Sequence, residues 1–170
     1  MWLVLRVSSG LSPALRHIRG WGWVLVVGVY TLILSGGFMA GTDAGFAYPT
    51  WPLMGESFVP MGYYAEGWLA TFEGVATIHF NHRMLAYAIA ALVLFVSVRS
   101  LRHSADPKVR RAAILMLLAL TFQIMLGIGT VLSQVAIPMA ATHQIGAVVL
   151  LTTVLFWSHA HTDQKLVMSA

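Results

Sequence analysis

Cysteine is missing from all 170 positions. Its absence excludes disulfides, thiolate metal sites and a cysteine nucleophile, and leaves histidine as the main candidate metal ligand. Charge is scarce too. Asp, Glu, Lys and Arg make up 9% of the chain, against about 25% in soluble domains. Hydrophobic residues reach 58%, and the mean hydropathy is +0.78. These values exclude a soluble domain and predict an integral membrane protein. The formal charge of +4 is not a nucleic-acid footprint, because the basic residues sit in short patches beside apolar runs, so no nucleic-acid partner is expected. The N-terminus does not read as a cleaved secretory leader. Met1–Leu5 is too short an apolar core, Arg6 follows it, and no small-residue cleavage site comes after. The N-terminus reads as a free amphipathic tail.

What is present is four long apolar segments: Trp21–Ala40, Val75–Val98, Ala112–Leu132 and Met139–Trp157. Each approaches or exceeds the roughly 20 residues that cross ~30 Å of hydrocarbon. In lipid the backbone must satisfy its own hydrogen bonds, so these are helices, and the alternating pattern of a membrane barrel is missing. The predicted fold class is an all-α four-transmembrane-helix bundle. The expected organisation is a basic N-terminal tail at 1–20, a four-helix membrane domain at 21–159 and a tail at 160–170.

Charge asymmetry predicts the orientation. Arg6, Arg16 and Arg19 precede the first segment. Arg99, Arg102, Lys108, Arg110 and Arg111 lie between the second and third, and Lys165 follows the fourth. The long stretch 41–72 has no Lys or Arg but holds Asp43, Glu56 and Glu66, and 133–138 is uncharged. By the positive-inside rule both termini are cytoplasmic and the long loop between helices one and two is outside, in a multi-pass protein of the inner (plasma) membrane. Trp21, Trp23 and Trp157 then mark the inner interface, and Tyr48, Trp51, Tyr63, Tyr64 and Trp68 the outer one. The Gly, Pro and aromatic residues of AGTDAGFAYPTWPLMG predict an ordered lid of turns and short helices. Gly36, Gly37 and Gly41 are expected to end the first helix. Gly127 and Gly129, late in the third, allow either tight helix packing or room for a flat cofactor.

Arg83 is the one basic residue that breaks the topology rule. It lies with His79 and His82 in EGVATIHFNHRMLAYAIA, inside an otherwise apolar helix. Ionisable groups placed there are costly and are functional candidates. His82 comes nine residues after Glu73, roughly 14 Å of helical rise, and His143 five after Pro138, roughly 8 Å. The two histidines therefore sit at comparable depth in the outer half, on helices running the same way. Two such imidazoles facing across a bundle have the geometry of a bis-histidine heme site, with iron taking one nitrogen from each side. The competing reading is a pair of hydrogen-bonded packing histidines. Zinc lacks a third and fourth ligand at suitable spacing.

Arg83 is either a bidentate partner for a heme propionate or a snorkelling or Glu-paired residue near the interface. His79 lies three residues before His82 on nearly the same face. It is either a polar residue at the start of the helix or a group that touches a heme edge, binds a ligand or relays protons. Gln123 and Gln144 read as packing polars. His159, His161 and Asp163 read as a solvated tail, and His17 and His103 as surface residues.

Several stretches together resemble the heme A synthase family. GGFMAGTDAGFAYPTWPLMGESFVP is similar to the end of helix one and the outer loop in that family's C-terminal four-helix half. FEGVATIHFNHRMLAY resembles its second helix, QIMLGIGTVL its third and ATHQIGAVVLL the start of its fourth. The resemblance covers roughly residues 11–160. It implies oxidation of the heme O methyl group to give heme A, for terminal oxidase biogenesis. It also implies heme b held by His82 and His143 as axial ligands, with Arg83 and His79 beside it. Family members have two such halves, and the half that holds the substrate heme carries a glutamate three residues before its ligand histidine. Here only one half is present and that position is His79. The resemblance thus implies a partner, either a second four-helix half or another copy of the chain, and a supplier of heme O, while no catalytic residue is assigned. Two alternatives remain: a small b-type cytochrome that only transfers electrons, and a non-enzymatic assembly protein.

Overall fold

In the computed structural model the chain is described from residue 13 to residue 168, with side chains described from 21 to 161. The N-terminal tail reading for residues 1–12 and the side chains of His17 and Asp163 lie outside these limits. Four long helices dominate: α1 (Pro13–Gly41), α2 (Val75–His103), α3 (Pro107–Leu132) and α4 (Ile137–Met168). All four are long and apolar enough to cross a membrane. No strand occurs among the described residues beyond a single bridge between Met54 and Ser57.

The helix limits follow from local chemistry. Gly74, extended at φ −77° and ψ 103°, separates a one-turn helix at Ala70–Glu73 from α2. Pro107 occupies the first turn of α3, where its missing N–H costs nothing. Asp106 caps that turn by accepting from Lys108 N at 2.8 Å. α3 ends in a tight reversal: Val135 N donates to Thr130 O at 2.8 Å and Gln134 N to Val131 O at 3.1 Å, with Gln134 and Val135 both at positive φ. A β-branched residue is costly in that conformation, and the Val135 side chain lies against Gly45, where a Cβ would meet it at 3.0 Å.

Two expectations need correcting. Gly36 and Gly37 do not end α1. They lie inside it and only Gly41 is terminal, because at membrane depth the backbone has no other partner for its hydrogen bonds. Trp157 is not an interfacial aromatic facing lipid. It is 2% exposed, and its indole N–H donates to Ser100 Oγ at 2.9 Å in the core. In the expected tail from 160 onward, α4 continues as helix to Met168. His161 packs its ring 4.2 Å from that of Trp157.

Each helix packs on its two neighbours. α1 contacts α2 and α4, and α3 contacts α2 and α4, which leaves α2 and α4 across a diagonal of the bundle. The apolar core fills one half of its length. Leu25 and Val29 of α1, Ile89, Val93 and Val96 of α2, Ala112, Ala113, Met116 and Leu120 of α3, and Leu150, Val154 and Trp157 of α4 form it. All lie toward the end of the bundle that holds the α2–α3 connection. Ser100 closes this half by accepting from Trp157 while donating to Val96 O at 2.9 Å.

Ser100→Ala leaves the buried Trp157 N–H without a partner. It is expected to lower stability by about 1 kcal/mol, read in a detergent-unfolding titration. The same change should cost almost nothing in a Trp157→Phe background, since the coupled group is gone.

Candidate functional site at the outer half of the bundle

Beyond the apolar core, toward the long loop, the helices present polar and small residues. His82 on α2 is half-buried, and its Nδ1 lies 2.7 Å from Ser35 Oγ of α1. The serine hydroxyl can also donate to Leu32 O at 2.9 Å, an arrangement in which the imidazole donates to the serine. With the ring proton on Nδ1 the Nε2 lone pair is unused, the form in which an imidazole binds a metal. Gly36, one residue after Ser35, faces the ring, and a Cβ there would sit 3.5 Å from His82 Cε1.

His143 occupies the diagonal position on α4, within electrostatic reach of His82. A Cβ on Gly127 of α3 would lie 2.9 Å from His143 Cε1 and 3.6 Å from both ring nitrogens. The glycine is what lets the imidazole sit between α3 and α4. Gln123 of α3 donates to the His143 backbone carbonyl at 3.1 Å, while Gln123 Oε1 and His143 Nδ1 are buried without a hydrogen-bond partner. Gln123 is therefore only half satisfied. Gln144 is exposed, as is His103.

Arg83 is buried and its hydrogen bonds are made inside the protein. Nε donates to His79 Nε2 at 3.0 Å, Nη1 to Leu53 O at 3.2 Å, and Nη2 to Tyr48 O at 3.1 Å and Thr50 O at 2.8 Å. None of these bonds goes to a carboxylate, so Arg83 is not Glu-paired, and it does not snorkel to solvent. His79 is fully buried, edge-on to the Tyr48 ring at 6.0 Å. Because Nε2 accepts from Arg83, the ring proton of His79 is on Nδ1. That atom faces the Ala44 backbone.

The long loop is ordered, with 3-10 turns at Ala44–Phe46 and Gly67–Leu69. Beyond the Arg83 bonds, Tyr64 N donates to Thr77 Oγ1 of α2 at 3.0 Å, and Tyr48 Oη donates to Met61 O at 2.9 Å. Phe80 of α2 packs edge-on with Phe58 and Tyr63 at 6.2 and 4.7 Å. The loop carbonyls that receive Arg83 were not anticipated from sequence, because a backbone acceptor carries no residue-type signal.

These residues fit a group that takes one imidazole from each side. His82 is held through Nδ1 by Ser35, His143 lies across the diagonal, and a glycine stands beside each ring. They offer less to a propionate at Arg83, where four of the five N–H donors have partners.

Fold and site together define a four-helix integral membrane protein with a histidine on each of two diagonal helices. The chain belongs to the COX15-CtaA family, described as cytochrome oxidase assembly protein, which matches residues 1–155. It is 38% identical over 154 residues to a heme A synthase of a Chelativorans species, covering 86% of this chain and 43% of that protein. With heme A synthases of Nitrosospira multiformis and Paracoccus denitrificans it also shares 38%, over 160 and 167 residues. Those alignments cover 92% and 93% of this chain but 45% and 44% of the relatives. The chain thus spans less than half the length of these curated relatives. No solved structure matches it significantly.

Gly127→Ala should displace the His143 ring and shift its Cε1–H NMR resonance. Gly37→Ala, whose Cβ would meet nothing within 4 Å, should leave that resonance in place and add about 0.5–1 kcal/mol of helix stability.

Proposed function

We propose that the chain is a heme b-binding four-helix half of a heme A synthase. In this reading it contributes to oxidation of the heme O methyl group to heme A in the inner (plasma) membrane. It works with a second four-helix half, or with another copy of itself, and with a supplier of heme O. The observation that carries the reading is the pair His82 and His143 on diagonal helices at the depth where the apolar core gives way to glycine and polar groups. Bound heme would supply one-electron redox chemistry at its iron. The chain's own contribution is to hold and orient. Ser35 holds the His82 ring through Nδ1, Gly127 admits the His143 ring, Gln123 anchors the α4 backbone at His143, and the ordered loop limits water at the outer end.

A second reading, a b-type cytochrome that only transfers electrons, is favoured by one observation. The residue three before His82 is a fully buried histidine whose Nε2 is committed to Arg83. It is poorly placed to act as an acid or base.

His82→Ala and His143→Ala are each expected to abolish the low-spin heme absorption of the purified protein. Unchanged spectra in both variants would remove the ligand assignment. Co-expression with a heme O source separates the two readings, since heme A in the extract supports the synthase and heme b alone supports the cytochrome. The orientation, with cytoplasmic termini, is part of the same proposal. The cysteine-free background makes it simple to test. Ser57→Cys should react with a membrane-impermeant maleimide in intact spheroplasts, and Ser104→Cys should react only after lysis.

A further inference from the structure

The guanidinium of Arg83 bonds the carbonyls of Tyr48, Thr50 and Leu53, three acceptors on one short segment of the long loop, and its Nε bonds His79 one turn back on α2. We infer that Arg83 and His79 form a latch that holds the Tyr48–Leu53 segment on the helix carrying His82, with His79 acting as the neutral hydrogen-bond acceptor that aims the guanidinium. This goes beyond the heme reading and rests on the chain's own contacts alone.

The residue types suit the task. The acceptors diverge from one point, and a planar fork of five donors can reach all of them, whereas an ammonium cannot. The acceptor at position 79 must be uncharged on the side facing Arg83, because a protonated ring would present a second donor and a second cation there. His79 satisfies this through its Nδ1–H tautomer. It is packed on all sides, with Tyr48 of the latched segment against its ring edge. Burial and acceptor chemistry thus assign His79 a positioning role through Arg83. The latch also steadies the loop's own fold. Thr50, whose carbonyl Arg83 holds, accepts from Gly55 N and donates to Leu53 O through its hydroxyl, both at 2.9 Å. Met54 N then closes the bridge to Ser57 O at 2.8 Å.

The test is backbone hydrogen exchange of the full chain in nanodiscs without added heme, followed over residues 50–59. Arg83→Lys keeps the charge but loses the fork, and should speed exchange there on the order of tenfold or more, with α3 and α4 unchanged. His79→Gln supplies a neutral acceptor and should stay near the wild type, whereas His79→Leu should resemble Arg83→Lys. The histidine pair keeps the inference testable if the arginine variant does not fold. Wild-type protection in Arg83→Lys would overturn the latch, as would equal exchange in His79→Gln and His79→Leu. So would hemin addition that opens the wild-type loop to the Arg83→Lys level, since Arg83 would then have left the loop for an anionic ligand. Because the primary readout is taken without heme, its failure is distinct from failure of the His82 and His143 ligand assignment.

Discussion

A guanidinium keeps its charge wherever it is placed, and Arg83 carries one into the wall of a membrane bundle. Burying such a charge is tolerable only if dipoles replace the water it gives up. Three loop carbonyls and one imidazole do so here. The long loop therefore cannot be an independent appendage of α1 and α2. Its backbone is the solvent shell of a residue in α2, and its path across the outer end is set by that requirement. The Tyr64 N bond to Thr77 and the contacts of Phe58 and Tyr63 with Phe80 lie along the same helix.

The two halves of the bundle follow from opposite rules. Toward the α2–α3 connection the helices meet through large apolar side chains, with Met116, Val93 and Val154 fully enclosed. The polar contact of Trp157 with Ser100 there is fully internal, and Ser97 is fully buried in the same half with its hydroxyl unpartnered. Toward the long loop the helices meet through glycines, histidines, Ser35 and Gln123. Polar groups in lipid cost free energy unless paired or functional, and this half keeps His143 Nδ1, His79 Nδ1 and Gln123 Oε1 buried without hydrogen-bond partners. A chain selected for packing alone would have filled these positions with leucine. Three of the four such atoms among the described residues lie at this end, where the candidate site is.

Much of this was legible in the sequence, because it depends on periods and run lengths. Four apolar runs of spanning length give four helices, and the two histidines singled out by residue counting, His82 and His143, fall on helices across the bundle's diagonal. What escaped the sequence is what depends on nonlocal backbone. The partners of Arg83 are carbonyls of Tyr48, Thr50 and Leu53, which any residue could supply, so no pattern announced them. Trp157 looked interfacial because tryptophan near the end of a span usually is; its burial depends on Ser100, 57 positions away. Gly127 was legible as a small residue but not as the space beside His143, since packing and accommodation leave the same letter in the sequence.

His79 is where these lines meet. By sequence it occupies the place three before His82, where an acid or base would be most useful to chemistry at a bound group. By structure it faces the loop side, with Nε2 given to Arg83 and its ring enclosed. One imidazole cannot both accept continuously from a fixed cation and shuttle protons to a substrate, because taking a proton on Nε2 would break the bond that holds the guanidinium. The structure resolves the conflict in favour of position. The histidine that distinguishes this helix thus belongs to the support of the site. Under the proposed synthase reading, a proton-handling group would come from elsewhere, which suits the second four-helix unit that reading includes.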